Sequence, residues 1–195
     1  AYYLAFKSKK VKPFLESIVT LPLVLPPTVI GFYLIVFFSP DTALGKFFIL
    51  LTGEQLIFSF YGLVLASIIY SLPFWVQPLQ ASLEKIGKDT LKTSESLGAS
   101  KFDTFINVII PLSKKGFLTS FIISFAHTMG EFGIVLMVGG GIHGKTKVIA
   151  ISIYDHVEQL SFGKAHFLAG GMLILSFIIL LTLFYSNRRS IVRVK

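Results

Sequence analysis

The sequence predicts an all-α polytopic membrane protein, and three observations carry that expectation. The composition is 53% hydrophobic and only 14% charged, with a mean hydropathy of +0.76, whereas soluble domains carry about a quarter charged residues. Four long apolar stretches, one of them interrupted by Glu131, reach the length needed to cross about 30 Å of hydrocarbon at about 1.5 Å per residue. The basic residues gather on one side of those stretches, as the positive-inside rule requires. With 20 Phe and no Cys, disulfides, thiol chemistry and cysteine-ligated metals are excluded. The net charge of +8 does not indicate nucleic acid, because the cations are not interleaved through a polar surface.

The segment Ala1 to Phe6 is apolar and is followed by the basic residues Lys7, Lys9, Lys10 and Lys12. The chain does not begin with Met, so an earlier transmembrane helix is expected ahead of it, giving five spans in the complete protein and four here. The first of the four runs from Ser17 to Pro40 and contains Pro22, Pro26 and Pro27. Proline removes a backbone donor and clashes with the preceding turn, so this span is expected to be kinked or broken, with neighbouring helices satisfying the freed carbonyls. Asp41 to Glu54 is a polar connection. The second span covers about Leu56 to Leu79, with Pro73 and Pro78 near its far end; the third runs from Gly116 to about Val138, stopped by Gly139, Gly140 and Gly141; the fourth runs from about Ala165 to Tyr185. The whole of 1–195 reads as a single transmembrane domain.

Orientation follows from counting. Lys7, Lys9, Lys10, Lys12, Lys85, Lys88, Lys92, Lys101, Lys114, Lys115, Arg188, Arg189, Arg193 and Lys195 fall on one side, and only Lys46, Lys145, Lys147 and Lys164 on the other. This bias places the long loop 83–111 and the C-terminus in the cytoplasm and the protein in the cell membrane. The loop itself is patterned. After Gly98, Phe102, Phe105, Ile106 and Ile109 fall at i, i+3, i+4 and i+7, the spacing of one helix face. Pro111 is expected to end that helix. A shorter helix over Thr90 to Leu97 is expected before it, and Gly98 can adopt the left-handed angles that a sharp helix end requires. The expected product is helix, glycine hinge, helix. An amphipathic helix lying on the lipid surface is the plainer alternative, which Lys85, Lys88 and Lys92 would suit.

In the third span, His127 and Glu131 are four apart and so share a helix face, with Ser124 and Thr128 nearby and Gly130 and Gly133 allowing close helix approach. Ionisable groups are costly in lipid and face a bundle interior or a wet path. Three readings stand: a hydrogen-bonded polar knot, which suits Glu131 because a carboxylate is an odd lining for an anion path; a path or gate lining by His127, Thr128 and Glu131, of which His127 is the better partner for an anion; and a His/Glu proton relay.

The loop resembles the coupling loop of ABC-importer permeases, Glu-Ala-Ala, three residues, Gly, nine residues, Ile, one residue, Leu-Pro. Gly98, Val108, Ile110 and Pro111 stand at the Gly, Ile, Leu and Pro, while Lys92-Thr93-Ser94 replaces Glu-Ala-Ala. Together with Leu21 to Leu34, Leu97 to Ser100, Gly130 to Gly140, Gly144-Lys145-Thr146 and Ile153 to Glu158, nearly the whole chain resembles the permease subunit of molybdate importers, whose sulfate and tungstate relatives are similar. The resemblance implies the type I ABC-importer permease architecture and a homodimer with one anion path at the subunit interface. It implies two copies of a cytoplasmic ATPase that uses ATP and Mg, an extracytoplasmic oxyanion-binding protein, and no cofactor or catalytic residue in this chain. The residues that would couple to the ATPase are Thr93, Ser94, Glu95, Leu97, Gly98, Ala99, Ser100 and Pro111.

Gly139 to Thr146 matches the G-x-x-x-x-G-K-T pattern of a phosphate-binding loop, but it follows a membrane helix rather than a strand and lies outside by charge count, so a glycine-rich turn is expected there. Lys145 and Lys147 are expected to meet acidic residues of a docking protein. His143, His156 and His166 have no mutual spacing that suggests a metal site. Two rival classes remain: a proton-coupled secondary carrier using His127 and Glu131, and a membrane scaffold without transport.

Overall fold

A computed structural model describes residues 1–6 and 10–188, the last three as helix backbone. Lys7, Lys9, Arg189, Arg193 and Lys195 of the orientation count lie outside the described residues. The chain forms α1 (Tyr2–Phe6), α2 (Lys12–Val24), α3 (Pro27–Phe38), α4 (Ala43–Thr52), α5 (Phe60–Ser96) and α6 (Lys101–Thr104), a π turn (Phe105–Ile109), then α7 (Ile110–Met129), α8 (Gly133–Gly139), α9 (Ile149–Glu158) and α10 (Phe162–Arg188). Among the described residues, three helices are long and apolar enough to cross a membrane: Phe60–Ser96, Lys101–Met129 and Phe162–Tyr185. A fourth span is present if α2 and α3, sharply bent at Leu25 and Pro26, count as one. Proline explains that break: Pro26 is extended (φ −54, ψ 141) and Pro27 opens α3, where its missing N–H costs nothing.

Two compact units emerge. One comprises 21–72 and 126–179. Its core is Ile30, Leu34 and Phe38 of α3, Leu56 and Ala66, and Ile134 and Val138 of α8. Side chains of α3 and α8 meet closely because small residues line the seam. A Cβ on Gly31 would lie 2.7 Å from Met137 Sδ, and one on Gly133 would lie 2.7 Å from Pro27 Cβ. Within lipid, where apolar burial drives little association, such close packing does the holding. The turn before α5 is tied in by the Phe58 N–H, which donates to Val138 O at 2.9 Å. Thr42 caps α4 by accepting from the Gly45 N–H at 3.0 Å, and Gly53 ends it in the left-handed region (φ 73).

The other unit comprises 1–20, 73–125 and 180–195. Leu79, Leu83 and Ile109 are buried there, with Tyr2 and Phe6 of α1, Ile86, Leu91 and Phe117 packed around them. α2 and α5 are laced by polar side chains at helical spacing: Lys12 Nζ donates to Glu84 Oε1 (2.6 Å), Gln80 Nε2 to Glu16 Oε1 (2.5 Å) and to Glu84 Oε1 (3.0 Å), and Gln77 Nε2 to Thr20 Oγ1 (3.3 Å).

Three expectations are corrected here. Pro111 does not end a helix, because Lys101 to Met129 is continuous and Pro111 is the second residue of α7. The π turn explains this: the Ile110 N–H reaches back to Phe105 O, five residues away, and this widened turn makes room for the pyrrolidine ring and its absent donor. The third span is not one helix to Val138; it stops at Met129 and restarts at Gly133. The helix before the hinge is not confined to Thr90 to Leu97, since it extends from α5 across a kink at Gly87 (φ 74, ψ 159).

Candidate functional site

Each unit carries one of the predicted sites. In the loop, α5 ends in a Schellman motif: the Gly98 N–H donates to Glu95 O (3.0 Å) and the Ala99 N–H to Ser94 O (3.2 Å). Gly98 has φ +84, where any Cβ is strained, although the space around it is open. Ser100 then caps the next helix, its Oγ accepting from the Asp103 N–H at 3.1 Å. The two arms are joined by a hydrogen bond between Ser94 Oγ and Thr104 Oγ1, 2.8 Å apart and both buried. Ser94 occupies the place of the second Ala in the loop pattern, so the departure from that pattern supplies half of this bond.

Not all of the apolar stripe turns inward. Ile109 is 2% exposed, but Phe102 is 75% exposed and Leu97 82%, so the hinge presents two large apolar side chains on its outer surface. Thr93 donates to Asp89 O (2.9 Å), and Glu95 is exposed beside it. Ser94 is the one member of the predicted coupling set that is buried. Its partner Thr104 and the kink at Gly87 are not apparent in the residue pattern: a hydroxyl pair ten residues apart has no periodic signature.

In the other unit, Glu131 lies in the break between α7 and α8, yet stays beside His127: Glu131 Oε2 is 3.5 Å from His127 Nε2. Glu131 is 6% exposed, and its Oε1 accepts the Ile134 N–H at 3.3 Å. It therefore serves an orphan donor at the start of α8. Thr128 Oγ1 and Ser71 Oγ are 2.7 Å apart, and the Tyr70 ring lies 5.2 Å from the His127 ring. Tyr70 and Ser71 were not predicted as members of this cluster; their one signal is that polar groups in an apolar helix seek partners. Phe132 packs on Tyr154 at 5.0 Å. Tyr154 donates to Glu158 Oε1 (2.5 Å), which holds the phenol above its ordinary range.

The G-x-x-x-x-G-K-T stretch is a self-tied turn. Thr146 is buried; its hydroxyl donates to Gly139 O (2.5 Å) and accepts from the Ile142 N–H (2.9 Å). The hydroxyl a phosphate-binding loop would offer to a metal is spent on the backbone. Lys145 pairs with Glu54 at 3.4 Å and Lys147 pairs with Asp155. Both lysines thus have acidic partners within the chain. Among the described residues no three His, Asp or Glu side chains come together as a metal site.

Comparison with known proteins adds the following. The sequence profile described as binding-protein-dependent transport system inner membrane component matches residues 1–189. The chain is 49% identical over 189 residues to the molybdenum transport system permease protein ModB of Azotobacter vinelandii, covering 97% of this chain and 83% of that one. It is 34% identical over 158 residues to ModB of Haemophilus influenzae (81% and 69% covered), and 33% identical over 170 residues to a probable sulfate transport system permease protein of Chlorella vulgaris (87% and 64% covered). The fold matches a chain in the crystal structure of a bacterial alginate ABC transporter in complex with its alginate-bound periplasmic protein. That match has a TM-score of 0.69 at 15% identity and covers 96% of this chain and 69% of that one.

Proposed function

The chain belongs to the family of binding-protein-dependent transport system inner-membrane components, and from that premise we propose that it is the permease subunit of an ATP-driven oxyanion importer whose cargo is molybdate. The observation that carries the cargo is the 49% identity, over nearly the whole chain, to a molybdenum transport permease. Sulfate is the second reading, since sulfate permeases are among the relatives at 31–33% identity. The subunit performs no covalent chemistry. ATP and Mg are used by a cytoplasmic ATPase, an extracytoplasmic binding protein delivers the anion, and two copies of this chain enclose the path.

In this reading the loop 83–111 faces the cytoplasm and the ATPase grips its hinge at Thr93 to Ser100. Leu97 and Phe102 supply the apolar contact, being large, exposed and adjacent to Gly98. The Schellman turn and the Ser94–Thr104 bond make the two arms move as one piece, so that displacement of the hinge becomes a tilt of the spans. The permease then has two conformations, biased by the ATPase from one side and by the binding protein from the other. His127, Thr128 and Glu131 are candidate path or gate residues. Glu131's bond to the Ile134 N–H favours the knot over a proton relay, because a carboxylate occupied in capping is a poor shuttle.

Because the sequence has no Cys, Leu97→Cys gives a single thiol at the hinge. Crosslinking to cysteines placed around the groove of the ATPase should succeed in the assembled transporter and change in yield on ATP addition. A thiol at Leu97 that labels freely from outside intact cells would place the loop on the wrong side of the membrane and end this reading.

A further inference from the structure

The connection between α3 and α5 belongs to the unit formed by 21–72 and 126–179 and folds as α4, whose sequence ALGKFFILLT carries a single charge, Lys46. Its inner face packs on that unit: Leu44 and Phe48 rest on the core, and Gly45 backs onto Ser39 O, where a Cβ has no room. Its outer face is apolar as well. Phe47, Leu50 and Leu51 fall at i, i+3 and i+4, and all three are exposed, Leu50 to 84%. A surface helix in water turns polar residues outward, whereas one that is apolar all round is covered by something apolar. At 10 residues α4 is about 15 Å long, half of what crossing the hydrocarbon requires. Its level is fixed by an aromatic contact: the Phe48 ring lies 5.6 Å from that of Tyr61, the second residue of the span that begins at Phe60. From there Tyr61, Leu65 and Ile68 continue along α5 as an exposed apolar stripe.

We propose that α4 is an interfacial anchor, lying in the plane of the membrane surface with Phe47, Leu50 and Leu51 at the boundary between headgroups and acyl chains and Lys46 among the lipid phosphates. Helices of this kind bury their apolar face about 5–10 Å deep. Aromatic rings collect at that depth, and Phe60 and Tyr61, with ring centroids 6.3 Å apart, supply them at the mouth of the span. Lipid fits this face better than a water-soluble partner does, because the contact of Phe48 with Tyr61 joins α4 to the exposed stripe of a membrane-crossing helix. Both ends of α4 are pinned. Thr42 Oγ1 donates to Phe37 O (2.9 Å) near the end of α3, and Glu54, two residues past α4, pairs with Lys145 at 3.4 Å. A helix held at one depth and tied to its neighbours sets their depth and tilt in the bilayer. Only the crossing of a membrane by α5 is needed, which family membership supports; neither the cargo nor the side faced by the loop 83–111 enters.

The chain has no Cys, so a single introduced thiol reports on one position at a time. Leu50→Cys and Leu51→Cys, each carrying an environment-sensitive fluorophore, are studied in the full-length permease with its ATPase, in nanodiscs of phosphatidylcholine and phosphatidylglycerol. Asp41→Cys, exposed in the turn before α4, is the reference for water, and Ile68→Cys, about two turns into the span, is the reference for the acyl chains. Lipids spin-labelled near the headgroup should quench both α4 positions more than lipids labelled near the chain end, with the reverse order at Ile68. Iodide should quench the α4 positions at least about threefold less than Asp41. Adding Phe47→Asp and Leu50→Asp to the Leu51→Cys chain should lift the helix from the interface and bring iodide quenching to within about twofold of that at Asp41. Iodide quenching at Leu50 and Leu51 equal to that at Asp41 puts this face in water and overturns the proposal. Shielding from iodide without quenching by either lipid means that protein covers the face, and also overturns it: shielding in the permease alone identifies a second copy, and shielding that appears on adding the binding protein identifies a docking face. Uptake by the same preparations separates this test from that of the transport reading, since lipid quenching that persists in a preparation without uptake still supports the anchor.

Discussion

Glu131 is a buried carboxylate with a neighbour at each oxygen. One oxygen accepts the Ile134 N–H and the other faces His127. Glu131→Gln keeps an acceptor for the amide and discards the charge, so thermal stability in detergent should stay within about 1 kcal/mol of the parent and uptake within about threefold. Glu131→Ala strands a buried donor and should cost about 1–3 kcal/mol. If the Gln variant folds as stably as the parent yet transports nothing, the charge has a role in the path and the knot is not the whole account. Thr146 poses the same kind of question. Thr146→Val removes both hydroxyl bonds of the glycine turn and should destabilise by about 1–3 kcal/mol, while Lys145→Ala, at a half-exposed pair with Glu54, should cost no more than about 1 kcal/mol; equal effects on melting temperature would argue against the buried turn. The sequence placed His127 and Glu131 together through their four-residue spacing. It could not place Tyr70 and Ser71 with them, because partners distant in sequence leave no local pattern.

At the scale of elements, the hinge was legible because its ingredients are local. A glycine after a helix, a serine two residues on and an apolar period behind them all act within a few residues of chain. Pro111 misled for the same reason: proline ends helices by local rules, and the π turn that accommodates it depends on a ladder shifted by one residue, which no spacing of side chains reports. The Ser94–Thr104 bond is the feature most open to experiment. Ser94→Ala and Thr104→Val each strand one buried hydroxyl and should each lower stability by about 1–2 kcal/mol. The double variant should cost less than their sum, since the partner left unpaired is removed as well. If the bond makes the arms rigid, both single variants should also raise the number of ATP molecules hydrolysed per anion imported. A loss of stability with that ratio unchanged would leave the bond a structural role only.

For the whole molecule, apolar length and composition were sufficient to define the membrane class, and the prolines were sufficient to break the first span. The break in the third span was hidden, because Gly130, Glu131 and Phe132 sit in an otherwise apolar run whose hydropathy does not register a few residues of non-helical backbone. The central claim is that this chain converts ATP-driven motion at Gly98 into oxyanion import. Its most direct test is uptake of labelled molybdate into vesicles holding the full-length permease, its ATPase and its binding protein, with ATP inside, excess sulfate or tungstate as competitor, and Gly98→Pro alongside. Proline cannot adopt φ +84 and removes the N–H that bonds Glu95 O. The account predicts ATP-dependent uptake in the parent that falls at least about tenfold in the Gly98→Pro variant while its ATPase still assembles with it. Uptake that ignores ATP and follows the proton gradient would contradict the account and return His127 and Glu131 to the centre of the mechanism.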